Sequence, residues 1–100
     1  MAQMESIISA AKEELRELYD TADYPEDLVF EIADSHVPVY HHQLCQLAAE
    51  DFDLMLTEPE LGPAFDGTPT PINIIAANVY ERISAALHEE LYDLQLKEAA

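Results

Sequence analysis

The chain has 100 residues, of which 21 are acidic and only four are basic, and its formal net charge at pH 7 is −17. Because 49% of the residues are hydrophobic, it is not a disordered acidic tail, and residues 1–100 are expected to fold as a single domain. The charge argues against direct binding to nucleic acid or to anionic membranes, since phosphate groups would repel the protein. It favours a basic protein as partner.

Several classes of protein lack support in the sequence. Cys45 is the single cysteine, so an intramolecular disulfide is impossible and a reducing cytoplasm is the expected compartment. Residues 1–6 lack the basic start and the apolar run of a signal peptide, and no segment has the length of a transmembrane helix. With only two glycines, Gly62 and Gly67, a glycine-rich phosphate-binding loop is excluded.

Two helices are predicted in the first third of the chain. From Glu5 to about Tyr19, apolar residues recur three and four positions apart, which is typical of an amphipathic helix. A second helix is predicted to begin at Pro25, because proline suits the first turn and acidic residues follow near the positively polarised end. The segment from Asp34 to Pro38 is expected to interrupt it, since proline restricts the preceding residue to extended geometry.

Two more helices are predicted after this break. The third runs from about Val39 to Glu50, and at most one short turn is expected before a long loop from Gly62 to Pro71. Thr70 is expected to cap the fourth helix, which is roughly 38 Å long at the usual rise per residue. Its helical period is set by Ile72, Ile75, Val79, Ile83, Leu87, Leu91 and Leu94. The predicted fold class is therefore all-α, with about four helices and a long last one.

One small cluster has residue types suited to metal or nucleophile chemistry. His41 and Cys45, four residues apart, supply half of a zinc site, but a structural site needs four ligands. A Cys–His nucleophile would need an activated thiol, which acidic surroundings disfavour. The favoured interpretation is that His41 and His42 are surface histidines beside a packed thiol. Carboxylate pairs arise by chance among so many acids, so no enzyme, metal or cofactor is predicted.

The third helix contains an almost unbroken apolar run that is predicted to form a dimer interface. The run is broader than one buried stripe requires, and its small alanines would allow close approach of two helices. It consists of Leu44, Cys45, Leu47, Ala48 and Ala49.

Four segments follow one another in a distinctive order. They are residues 25–34 (PEDLVFEIAD), 37–40 (VPVY), 47–54 (LAAEDFDL) and the long helix from Ile72 through 79–82 (VYER) to about Leu94. In order, spacing, length and acidity, residues 14–94 resemble the Ocr family of phage-encoded DNA-mimic anti-restriction proteins. None of the segments is a catalytic signature, so the specificity lies in their conjunction.

The resemblance implies an elongated all-α homodimer whose surface carboxylates stand where the phosphates of DNA would be. Such a protein occupies the DNA groove of type I restriction-modification enzymes in the host cell cytoplasm and needs no cofactor. A dimer would carry twice the charge of one chain, which equals the phosphates of about 17 base pairs. The carboxylates expected to contact the partner are Glu13, Glu17, Asp20, Asp23, Glu26, Asp27, Glu31, Asp34, Asp51, Asp53, Glu81, Glu89, Glu90 and Asp93.

The chain departs from the family pattern in three places. It ends in KEAA and lacks a long acidic tail, which is expected to shorten the mimic. An extended loop from Glu60 to Pro71 is expected to alter target range or dimer geometry. Cys45 stands where the family places a bulky aromatic residue near its dimer contact.

Three other functions are compatible with the sequence. The same surface would suit an inhibitor of another DNA-binding host protein, such as a CRISPR effector or RNA polymerase. A small metal-dependent or thiol enzyme would depend on His41, His42 and Cys45, so replacing all three with alanine separates it from a mimic. An acidic chaperone would bind histone-like proteins without a defined dimer geometry.

Overall fold

The computed structural model describes residues 3–56 and 70–99, and these form five α-helices with no strand among them. The helices are α1 (Gln3–Tyr19), α2 (Pro25–His36), α3 (His41–Glu50), α4 (Asp53–Leu56) and α5 (Pro71–Ala99). At 1.5 Å per residue, α5 is roughly 43 Å long, and each of the other four helices packs against it. The body is elongated, and the predicted all-α class with a long last helix is confirmed.

The helix bounds differ from the predicted ones at several ends. α2 continues to His36, because the restriction imposed by Pro38 acts only on Val37, whose backbone is extended. α3 begins at His41 rather than at Val39, since Tyr40 is still extended. α4 is one turn, in the segment where a single short turn was expected.

The start of α5 has the predicted cap. Thr70 Oγ1 accepts a hydrogen bond from the backbone N–H of Asn73 at 3.3 Å, and its carbonyl accepts one from Ile74 at 3.0 Å. The bond to Asn73 satisfies one of the N–H groups that a helix leaves unpaired at this end, and the bond to Ile74 is the first regular hydrogen bond of the helix. The predicted loop from residue 60 or 62 to 71 lies outside the described residues, except for Thr70 and Pro71.

The hydrophobic core follows one stripe of α5. Ile75, Val79, Ile83, Leu87 and Leu91 are buried along it, and the ends of the stripe are partly buried. The other helices contribute Met4, Ala11, Leu15, Val29, Ile32, Ala33, Leu44, Leu47, Ala48 and Leu54. Because every helix turns its apolar side towards α5, the charged residues are left on the outer faces.

A single buried polar side chain, among the described residues, links two of these helices. The Asn78 Nδ2 group donates a hydrogen bond of 2.6 Å to the carbonyl of Leu54, which ties α4 to α5. Among the described helices, none has the length and apolar character needed to cross a membrane.

Candidate functional site

Carboxylates dominate the outer faces of the helices. The described residues include 18 of the 21 acidic residues and all four basic ones. Of the carboxylates predicted to contact a partner, every one is exposed except Asp51 and Glu90, which are partly buried. They come from α1, α2, α4, α5 and the segments that connect them, so the negative surface belongs to the whole body rather than to one helix.

Asp51 and Glu90 differ from the others because an arginine holds each of them. Arg82 Nη1 donates to Asp51 Oδ2, and Arg16 Nε donates to Glu90 Oε1 over 2.6 Å. The hydrogen bond from Arg82 is the chief reason that the pKa of Asp51 lies below its usual value. The hydrogen bond from Arg16 lowers the pKa of Glu90 in the same way. Both acids stay charged, but their partners offset their contribution to the negative surface.

Three of the four basic residues gather where α1 meets the end of α5. Lys12, Arg16 and Lys97 all act electrostatically on Glu90. We call these three residues the cation seam. Arg82 is the fourth basic residue and is engaged with Asp51. Since residues 17–81 contain no lysine or arginine, the surface of α2, α3 and α4 has no basic residue of its own.

The most negative part of the chain is residues 20–34, which contain six acids and no base. Three of these acids, Asp27, Glu31 and Asp34, are spaced four and three residues apart, so they share the outer face of α2. We call these three the acidic row. Like charges at this spacing destabilise a helix by a few tenths of a kcal/mol, roughly, per pair. The row thus costs stability, which indicates a role outside folding.

The next part of the chain, residues 35–49, contains no Asp, Glu, Lys or Arg. It includes α3 up to Ala49, without the exposed Glu50 that ends the helix, and the residues predicted to form a dimer interface. Leu44, Leu47 and Ala48 are buried in the protomer core, with 3%, 1% and 2% of their surface exposed. Only Cys45 and Ala49 of the predicted set are exposed. The apolar run is broad because three of its residues pack inward and the other two face outward.

An apolar patch, which we define as Cys45, Ala49, Phe52, Met55 and Ile72, surrounds a hollow of about 370 Å³. Phe52 is 66% exposed and Met55 is 44% exposed. Sequence reasoning missed the contribution of α4 because a four-residue helix has no periodicity from which its outer face can be read. The start of α5 supplies the opposite edge of the patch.

The candidate metal or nucleophile residues lie close together on α3. The expectation of a packed thiol is wrong, because Cys45 is exposed. His41, His42 and Cys45 are all exposed, and the ring of His42 stacks on that of Tyr40 with centroids 5.8 Å apart. Within residues 3–56 and 70–99, no group of three or more His, Cys, Asp or Glu side chains is placed to hold a metal ion. Among the described residues, His41 and Cys45 therefore have no further side chain placed to complete a metal site with them.

The family model described as "DNA mimic ocr" matches residues 2–95 of the chain. The chain belongs to the Ocr family of DNA mimics. No curated protein and no solved structure matches the chain. The family is one of non-enzymatic inhibitors, and membership implies that the partner is a DNA-binding protein. The family predicted from the sequence is therefore confirmed.

The net charge per unit length of this Ocr-family protein can be compared with that of the DNA that it mimics. With 18 acids and four bases along a body as long as α5, there is one net negative charge for roughly every 3 Å of length. Duplex DNA has one for about every 1.7 Å of its axis. One described chain thus has more than half the linear charge density of DNA.

Proposed function

We propose that this protein occupies the DNA-binding groove of a host type I restriction-modification enzyme and so inhibits restriction. It would act in the host cell cytoplasm, as the counter-defence protein of a phage. The observation that carries the proposal is the exposure of nearly all the predicted carboxylates, while three of the four bases gather in the cation seam. Family membership supports DNA mimicry, and the choice of target rests on the resemblance described above.

Inhibition would work by direct competition for a basic groove. Carboxylates on packed helices have fixed positions, so they present a preorganised negative surface to the groove. The field of that surface steers a basic partner towards it and accelerates association. Because an exposed ion pair contributes only about 0.2–1 kcal/mol, the affinity is spread over many contacts. A single substitution among the carboxylates is expected to have little effect.

We also propose that the working unit is a homodimer joined through the apolar patch. Two chains that each carry a net charge of −17 repel each other, so a stable contact needs a surface without acids. Residues 35–49 and the adjoining patch meet this condition. Cys45 and Ala49 would lie in the contact, while Leu44, Leu47 and Ala48 would support it from the core.

The experiment that tests the target is a competition assay. Purified protein is titrated into a type I restriction enzyme that holds a labelled DNA duplex, and release of the duplex is followed by fluorescence anisotropy. Release at near-stoichiometric protein is the expected result. A matched control is a variant in which all six acids of residues 20–34 become amides, because it keeps the side-chain sizes and loses the charge.

Retention of the duplex at a large excess of folded protein would overturn the choice of target. The same protein would then be tested on a CRISPR effector and on RNA polymerase, since both bind duplex DNA. Release of DNA from one of these enzymes would reassign the target and keep the mimicry.

A further inference from the structure

Aromatic rings lie between the acids of α2 and those of α5. Phe30 on α2 and His88 on α5 have ring centroids 5.5 Å apart in an edge-to-face arrangement. Tyr92 follows His88 by one helical turn, and both line a surface hollow with Glu89 and Asp93. We call Phe30, His88 and Tyr92 the aromatic seam. Phe30 is 49% exposed and Tyr92 is 63% exposed, so the seam forms part of the outer surface.

Acids flank the aromatic seam on both helices. Asp27 and Asp34 lie three residues before and four residues after Phe30, so the acidic row runs beside that ring. On α5, Glu89 and Asp93 line the same hollow as the seam. Asp93 also lines the hollow that holds part of the cation seam. The acids that flank the aromatic seam thus extend from α2 to Asp93 on α5, where they meet the cation seam.

The rings of the seam have a defined orientation. His88 Nδ1 lies 2.8 Å from the carbonyl of Ser84, which can only accept, so Nδ1 donates this hydrogen bond. The bond holds the imidazole against the ring of Phe30. A protein that mimics DNA by placing carboxylates where phosphates would be needs no exposed aromatic ring. The acidic composition therefore does not explain the aromatic seam. A ring face surrounded by carboxylates is a favourable place for a planar cation.

We propose that the aromatic seam docks arginine side chains from the basic groove of the partner. A guanidinium group stacks on Tyr92 or Phe30 while its N–H groups reach a neighbouring carboxylate, such as that of Glu89. The planar guanidinium can make both contacts at once, whereas a lysine ammonium is a compact, strongly hydrated charge. The proposal rests on the proposed function for its partner, and it adds a preference for arginine and a docking face made by α2 and α5.

The test uses substitutions that remove a ring and leave every charge in place. Tyr92→Leu and Phe30→Leu are the test variants. Tyr40→Leu is the matched control, because Tyr40 is 62% exposed, close to the 63% of Tyr92, but lies in the uncharged residues 35–49. Circular dichroism establishes that each variant keeps its helices.

Each variant is titrated by calorimetry with an arginine homopeptide and with a lysine homopeptide of equal length. The unmodified protein is expected to bind the arginine peptide more tightly. Tyr92→Leu is expected to weaken arginine binding by roughly two- to fivefold, the contribution of one exposed cation–π contact. Its affinity for the lysine peptide should stay the same, and Tyr40→Leu should change neither affinity.

Two results would overturn the proposal. One is equal affinity of the unmodified protein for both peptides. The other is an arginine preference that both test variants retain in full. These results are independent of the target, since a protein that prefers arginine but leaves DNA on the restriction enzyme would refute only the proposed target. Conversely, DNA release with no arginine preference would refute only the role of the seam.

Discussion

Two consecutive segments of equal length, residues 20–34 and 35–49, have opposite surface chemistry. The first contains six acids and the second contains no Asp, Glu, Lys or Arg. The first includes α2 up to Asp34, the second includes α3 up to Ala49, and each helix buries three residues in the core. Because both helices bury the same number of residues, the two segments differ in the side chains that face outward. The protein therefore carries a dense set of acids on one part of its surface and none on residues 35–49, where a second copy of the chain could approach.

Salt is expected to have the largest effect and to act on the two segments differently. The direct affinity of the protein for the partner groove should fall by roughly a thousandfold between about 50 and 200 mM salt, as it does for a protein with several phosphate contacts. Dimerisation through the uncharged residues should hold or tighten, since salt screens the repulsion between two negative chains. Calorimetric titration of the partner enzyme without DNA would measure the first affinity, and sedimentation would measure the second. A dimer that dissociates as salt rises would contradict the placement of its interface.

Neutralising residues 20–34 is expected to have the next largest effect. Conversion of all six acids to Asn or Gln should lower the affinity for the partner groove by roughly a hundredfold, given the small contribution of each exposed pair. The melting temperature should change little, because the relief of repulsion along α2 is offset by the loss of two favourable charges, those of Glu26 and Asp27, in the first turn of the helix. Gln43→Ala, in the uncharged segment, is the control and should change neither quantity. A loss of affinity no larger than that of the control would show that the acids of α2 do not face the partner.

A charge placed in the apolar patch is expected to weaken the dimer by at least about tenfold, since it would leave an unpaired acid at a contact between like-charged chains. Ala49→Glu makes this change at an exposed position of α3. Ala10→Glu, at an exposed position of α1, is the matched control and should leave the dimer intact. Analytical ultracentrifugation separates the outcomes, and an unchanged Ala49→Glu dimer would show that the interface lies elsewhere. Ala48 is unsuited to this test because it is buried in the core.

The smallest expected effect concerns the ion pair between Asp51 and Arg82. The pair lowers the folded-state pKa of Asp51 below its unfolded value. Its stabilisation is therefore fully present above a pH of about 4, the ordinary pKa of aspartate, and is lost as pH falls through the lower folded value. Asp51→Asn keeps an acceptor for the backbone N–H of Asp53 and removes only the charge.

The matched control for this pair is Asp53→Asn, which removes one exposed charge that forms no ion pair with an arginine among the described residues. At pH 7, Asp51→Asn should melt a few degrees below this control, because an exposed ion pair contributes little. At a pH below the lowered folded-state pKa of Asp51 the two variants should melt together, since Asp51 is then protonated in the parent protein as well. A difference that persists in acid would mean that the contribution of Asp51 is not electrostatic.

Much of the candidate site could be predicted from the sequence, because carboxylates avoid burial and most of them had to be exposed. The exceptions could not be predicted. Asp51 meets an arginine 31 residues away and Glu90 meets one 74 residues away, and nothing local to either acid indicates its partner. The apolar run of α3 shows the same limit. The composition of this run predicts a broad apolar surface, but only the packing of α4 and α5 determines which residues face inward.

Most of the helices, the charge and the family could be read from the sequence alone. These follow from local signals, such as Thr70 and Pro71 at the start of α5 and the regular apolar spacing from Ile75 to Leu91. The positions of the cation seam, the apolar patch and the aromatic seam depend instead on how the helices pack. Each of them joins side chains from different helices. Helical hydrogen bonds connect residues four apart, whereas contacts between helices connect residues that are distant along the chain.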